Sequence, residues 1–133
     1  MEPGDIAVAR TLPIDGALLG NVLLRLRRDT EGAAVQWTLG DHGTAELDVN
    51  FVPDEAGWRT AARLWQRNRL AVVTVTFALR RVADDTLELR LETVSDLPEW
   101  WRANLDAFVV LARAFVDELA EELLWHATHA GVS

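Results

Sequence analysis

Lysine, cysteine and tyrosine are all missing from this 133-residue chain, so its 13 basic residues are arginines without exception. Without cysteine there is no disulfide, no thiolate nucleophile and no zinc–cysteine site. Without lysine there is no Schiff-base chemistry. The lack of cysteine fits the cytoplasm. The acidic start, Met1 to Asp5, lacks the basic-then-apolar order of a signal peptide. The longest apolar run in the last helical segment, Ala107 to Ala112, is far short of a membrane span and is closed by Arg113. The glycines match neither a phosphate loop nor a dinucleotide fingerprint. A soluble cytoplasmic protein without membrane association is expected.

Half of the residues are apolar, which suits one α+β domain over 1–133 with a real core. The net charge of −8 opposes phosphate, which argues against nucleic acid. That charge is uneven. Residues 1–53 carry four arginines against eight acids, 54–81 carry six against two, and 82–133 carry three against eleven. Mutual neutralisation of the basic middle and the acidic C-terminal part within the fold is favoured over opposite faces offered to a partner.

Residues 5–11 read as a short strand ended by Pro13. Residues 15–28 read both ways. Leu18, Leu19, Val22, Leu23 and Leu26 make a helical face, while Gly16, Gly20 and the alternation Leu24-Arg25-Leu26-Arg27 favour a strand over 21–28. The strand reading is adopted. Val35, Trp37 and Leu39 alternate with polar residues, as do Ala45, Leu47, Val49 and Phe51. Strands 21–28, 33–39 and 44–52 would then form a meander, with glycine-rich turn chemistry at 40–43.

Pro53-Asp54-Glu55 looks like a helix start, with a capping aspartate and acid at the positive dipole end. Trp58, Ala61, Ala62 and Trp65 would share one face of that helix and Arg59, Arg63 and Arg67 another, with Asn68 at its exit. Residues 71–95 form a hairpin, with Val73, Val75, Phe77 and Leu79 answered by Leu87, Leu89 and Leu91 around Asp84-Asp85. A helix then opens at Asp96 with Glu99 in capping-box spacing. It would run from Leu97 to about Thr128, about 45 Å at ~1.5 Å per residue. Its stripe is Trp101, Leu105, Phe108, Ala112, Phe115 and Leu119, widened by Val109, Val116 and Leu123. The fold expected is an antiparallel sheet made of a three-strand meander, a helix and a two-strand hairpin, with the long C-terminal helix packed on it.

Few residues carry chemistry. His126 and His129, with Glu122 one turn before, have a spacing that can hold a metal. Histidines meeting the negative end of a helix dipole explain them better. His42 stands alone in a turn. The acids Asp84-Asp85 and Glu118/Glu121/Glu122 read as solvated faces. No catalytic residue, metal or cofactor is assigned, and a non-enzymatic protein is expected. Six tryptophans are many for this length. Adjacent Trp100 and Trp101 point about 100° apart on a helix, and Trp125 lies near the chain end, so an exposed aromatic for a partner is plausible chemistry.

The order meander, helix, hairpin, long helix resembles the type III secretion chaperone fold and its YbjN-like relatives. The pattern covers about residues 54–122, through Leu64-Trp65-Gln66-Arg67-Asn68-Arg69-Leu70, the hairpin, and Phe115-Val116-Asp117-Glu118-Leu119. The family opens with a helix, where this chain offers a short strand and the ambiguous segment 15–28. The resemblance implies a homodimeric, chaperone-like module holding an acidic or extended peptide client along its sheet and middle helix. Exposure and chemistry, not a family motif, select Trp58, Arg59, Arg63, Trp65 and Arg67 as its binding face. A second resemblance is to the START/polyketide-cyclase-like proteins, in which a long C-terminal helix closes a curved antiparallel sheet over a small-molecule cavity. Val8-Ala9-Arg10-Thr11-Leu12-Pro13 is similar to their first strand and turn. That fold needs more consecutive strands than this reading supplies, and a helix at 54–67 would interrupt them.

Overall fold

Alternation along the hairpin segment builds the centre of the molecule. In the computed structural model, which describes residues 8–31, 34–39, 43–53, 57–65, 72–95 and 99–130, Val73–Ala83 (β6) and Thr86–Ser95 (β7) pair antiparallel across a turn at Asp84-Asp85. Val73, Val75, Phe77, Leu79, Leu87, Leu89 and Leu91 are buried on one face. Register shifts between Thr76 and Phe77, and between Arg81 and Ala83, mark bulges that bend and twist the pair.

The remaining strands extend this hairpin both ways. Ala9–Leu12 (β1) pairs with β7 at one edge. On the other side Gly57–Trp65 (β5) pairs with β6, followed by Thr44–Leu47 (β3) and Val35–Thr38 (β2). The order is β1-β7-β6-β5-β3-β2, and the two-residue Val52–Pro53 (β4) also lies against β5. This seven-stranded curled antiparallel sheet carries the long C-terminal helix on its inner face.

Two segments differ from the sequence reading. The expected middle helix, 54–67, is strand β5 over its described part. Thr60, Ala62 and Leu64 point into the core while Arg59, Ala61 and Arg63 point out. Alanine and arginine favour helix locally, but pairing with β6 on one side and with β3 and β4 on the other gives an extended chain backbone partners and overrides that preference. The expected strand 21–28 is instead part of helix α1, Leu19–Asp29, entered through a 3-10 turn at Gly16–Leu18. Leu19, Val22, Leu23 and Leu26 are its buried face, so the helical spacing outweighs the local alternation. The meander is therefore a hairpin, β2–β3. The proposed starts at Asp54 and Asp96, the exit at Asn68 and the turn at His42 lie outside the described residues.

The final helix is broken once. Glu99–Ala103 (α2) stops at Asn104, and Leu105–Ala130 (α3) continues. The Asn104 side chain donates to the Trp100 carbonyl at 2.7 Å, a local bond that competes with the helix ladder. The predicted stripe is otherwise the buried one: Trp101, Phe108, Ala112, Phe115, Val116, Leu119 and Leu123 all enter the core. Phe115 touches Phe77 of β6 at 4.8 Å between ring centroids and Trp37 of β2 at 5.7 Å. It thus ties α3 to both halves of the sheet. Among the described residues no helix is long and apolar enough to cross a membrane.

Candidate ligand crevice

Asp48 interrupts what would otherwise be one strand from 44 to 53. Its carboxylate accepts from the Asn50 backbone N–H at 2.9 Å and from the Asn50 side chain at 3.1 Å, an Asx turn that diverts the chain. The Asp48 carbonyl accepts from the buried Thr60 hydroxyl of β5, and the Asp48 N–H donates to the Ala61 carbonyl at 3.1 Å. The diversion turns Val49 into the core and leaves Phe51 half-buried before β4 resumes pairing.

Helix α1 lies opposite. Gly20, Leu23, Leu24 and Arg27 share one side at i, i+3, i+4 and i+7. With Val49, Asn50, Phe51 and Trp58 they line a crevice of about 110 Å³. A depression of about 430 Å³, lined by Leu24, Arg27, Arg28 and Glu31, adjoins it. Leu24, which lines both, is 62% exposed. A Cβ built on Gly20 meets no atom within 4 Å, so the absent side chain leaves room on the helix side of the crevice.

The residues expected to form one partner-binding face are divided by the strand. Trp58 is half-buried against the core and lines the crevice. Arg59 and Arg63 project from the opposite face of β5. Trp65 follows the same outward parity as these arginines, and Arg67 lies outside the described residues. Arg59 Nε donates to Glu92 at 3.0 Å, Arg80 reaches the same carboxylate at 3.1 Å, and Arg63 pairs with Glu46. Among the described residues of the basic middle segment, Arg59, Arg63 and Arg80 are therefore met by acids of nearby strands. The final helix is paired instead by Arg10 of β1, which reaches Asp117 at 3.2 Å and Glu121 at 3.4 Å.

At the far end of α3, His126 is 1% exposed. Its Nε2 lies 3.2 Å from Glu122 and its Nδ1 3.7 Å from Asp29 at the end of α1. His129 turns away, donating to the Trp125 carbonyl at 2.7 Å and stacking on the Trp125 ring. The two histidines do not converge on one point, and no metal-holding group of three such ligands occurs among the described residues. Trp125 itself is 52% exposed.

Sequence reasoning missed the crevice. The clue was the co-occurrence of Asp48 and Asn50 in an otherwise regular strand, which is turn chemistry in the wrong place.

No protein-family model matches the chain, and no curated protein matches it. Among solved structures it is similar to DynU16, a protein of the dynemicin biosynthetic locus, at 18% identity and a TM-score of 0.41, over 86% of this chain and 47% of that one. It is also similar to the di-domain ARO/CYC StfQ from the steffimycin biosynthetic pathway, at 18% identity and a TM-score of 0.39, over 90% of this chain and 45% of that one. This chain spans about half the length of either. Both belong to biosynthetic loci or pathways, and neither is described as a secretion chaperone. The peptide-holding, chaperone-like function expected from the sequence is corrected on the chain's own fold. Its binding face required a helix over 54–67, and β5 places the chosen side chains on two sides of a sheet.

Proposed function

We propose that this protein binds a small, largely apolar molecule between α1 and the β4–β5 side of the sheet, in the manner of START/polyketide-cyclase-like proteins. The observation that carries this reading is the crevice bounded by Leu23, Leu24, Phe51 and Trp58, which borders the core beneath a curled sheet and α3. The sequence objection to such a fold was an interrupting helix at 54–67. With β5 in its place, four consecutive elements from β4 to β7 are strands. An aromatic ring entering the crevice would meet Phe51 and Trp58, whose edges and faces favour offset or T-shaped contacts.

The eight lining residues include no nucleophile, carboxylate or imidazole. The reading is accordingly one of binding, and it assigns no reaction to this crevice.

A neutral two-ring phenol, 2-naphthol, is a suitable probe. Titration should shift the amide resonances of Gly20, Leu24, Phe51 and Trp58. Gly20→Leu should abolish the shifts while leaving the fold intact, because leucine favours helix more than glycine and has room there. Shifts that persist unchanged in Gly20→Leu, or that map to the outer face of β5, would defeat the proposal.

A further inference from the structure

Resting on that binding reading, we infer that the crevice takes an amphipathic anion, with an apolar or aromatic body between α1 and Trp58 and a carboxylate or similar group held by Arg27. Arg27 lines both the crevice and the adjoining depression, so one side chain borders the apolar slot and its solvent-facing mouth.

Arg10, Arg59, Arg63, Arg80, Arg81 and Arg90 each lie within 4.0 Å of a carboxylate. Arg25, Arg27, Arg28, Arg102 and Arg113 have no carboxylate at that range among the described residues, although the chain has 21 acids for 13 arginines. Of these five arginines Arg27 alone lines the crevice. The negative end of the α1 dipole favours a cation in this last turn, but a dipole does not use the donor fork of a guanidinium. The fork remains available to a bidentate acceptor. Glu31 is the one acid in the two linings, and it belongs to the outer depression rather than the crevice. Asn50, the other polar side chain of the crevice, is engaged by Asp48. A neutral ligand would find little else to orient it. An anionic one gains a charge-assisted contact at the rim while its body stays out of water.

The test compares 2-naphthoate with 2-naphthol, which share a ring system and differ in charge. Titration calorimetry on the whole chain should show naphthoate binding about tenfold more tightly at low salt, the scale of one charged hydrogen-bonded contact. That preference should shrink at 0.5 M salt through screening, about 4 Å in range there. Arg27→Gln should remove the preference, so that the two probes bind this variant with the same affinity. Arg28→Gln should retain most of it. Binding of both probes with equal affinity, or a preference that survives Arg27→Gln, overturns this inference and leaves the binding reading standing. Binding of neither probe overturns both.

Discussion

His126 of α3 places its Nδ1 3.7 Å from Asp29 at the end of α1, a contact that joins two helices 97 positions apart in the chain. The imidazole is buried, and its other nitrogen lies 3.2 Å from Glu122. Nδ1 makes no hydrogen bond in this arrangement, so its approach to Asp29 spans a gap. The consequence is that α1, one wall of the crevice, is tied at its C-terminus to the helix that crosses the sheet. Both carboxylates are roughly half exposed, which limits the strength of the tie. A double-mutant cycle of Asp29→Asn with His126→Gln should give a coupling energy on the order of 1 kcal/mol in denaturant unfolding. Additivity of the two substitutions would show that burial of the ring, not the Asp29 contact, matters.

Two glycines should respond to alanine with opposite signs. Gly57 has φ +153°, and a Cβ built on it lies 2.0 Å from the Leu79 carbonyl oxygen of β6. The clash is with backbone, which cannot step aside without breaking the β5–β6 register at Gly57–Arg80. Gly57→Ala should cost about 2 kcal/mol or more. Gly20→Ala, in α1 with nothing near its added carbon, should stabilise by about 0.5–1 kcal/mol. A lowered melting temperature for Gly20→Ala would contradict the open space at that site, and a raised one for Gly57→Ala would contradict the clash with Leu79.

Phe115 is the side chain through which α3 grips the sheet, between Phe77 of β6 and Trp37 of β2. It is fully buried in the common core. Phe115→Ala removes the ring from a close-packed contact of three aromatics and should cost about 3–5 kcal/mol. Phe115→Leu should cost clearly less. A loss of under about 1 kcal/mol for alanine would mean that α3 is held mainly elsewhere along its length.

Much of this architecture is visible in the residues themselves. Val73 to Phe77 and Leu87 to Leu91 alternate, with Ala78 buried between Phe77 and Leu79, and the stripe from Trp101 to Leu123 keeps one face across the break at Asn104, so the hairpin and the buried side of the final helical segment are legible. Segment 57–65 is different because it satisfies two periods at once. Trp58, Ala61, Ala62 and Trp65 fit a helix, while Thr60, Ala62 and Leu64 fit a strand, and only the partners on both sides decide. Those partners are remote in sequence and invisible to a local window. The same limit hid the crevice. Its lining comes from α1, the diverted segment after β3, and β5, and no short pattern joins Leu24 to Phe51 and Trp58. Misreading both α1 and β5 therefore removed two of its three walls. The preference for internal neutralisation over an exposed basic face was sound, but its partners are cross-strand acids rather than the final helix.

That outer-face network offers a last prediction. Glu92 on β7 receives Arg59 from β5 and Arg80 from β6, so one carboxylate bridges three adjacent strands. The arginine side chains are 45% and 38% exposed, in high dielectric and open to salt. Cross-strand ion pairs of this kind contribute about 0.2–1 kcal/mol each. Glu92→Gln should therefore destabilise by about 1 kcal/mol or less at low salt, with most of that difference gone at 1 M salt, where the screening length is about 3 Å. Its effect on 2-naphthol affinity should be nil, because the network and the crevice occupy opposite faces of β5. A stability loss above about 2 kcal/mol, or a change in ligand affinity, would show that the two faces of the sheet are coupled through the strand that separates them.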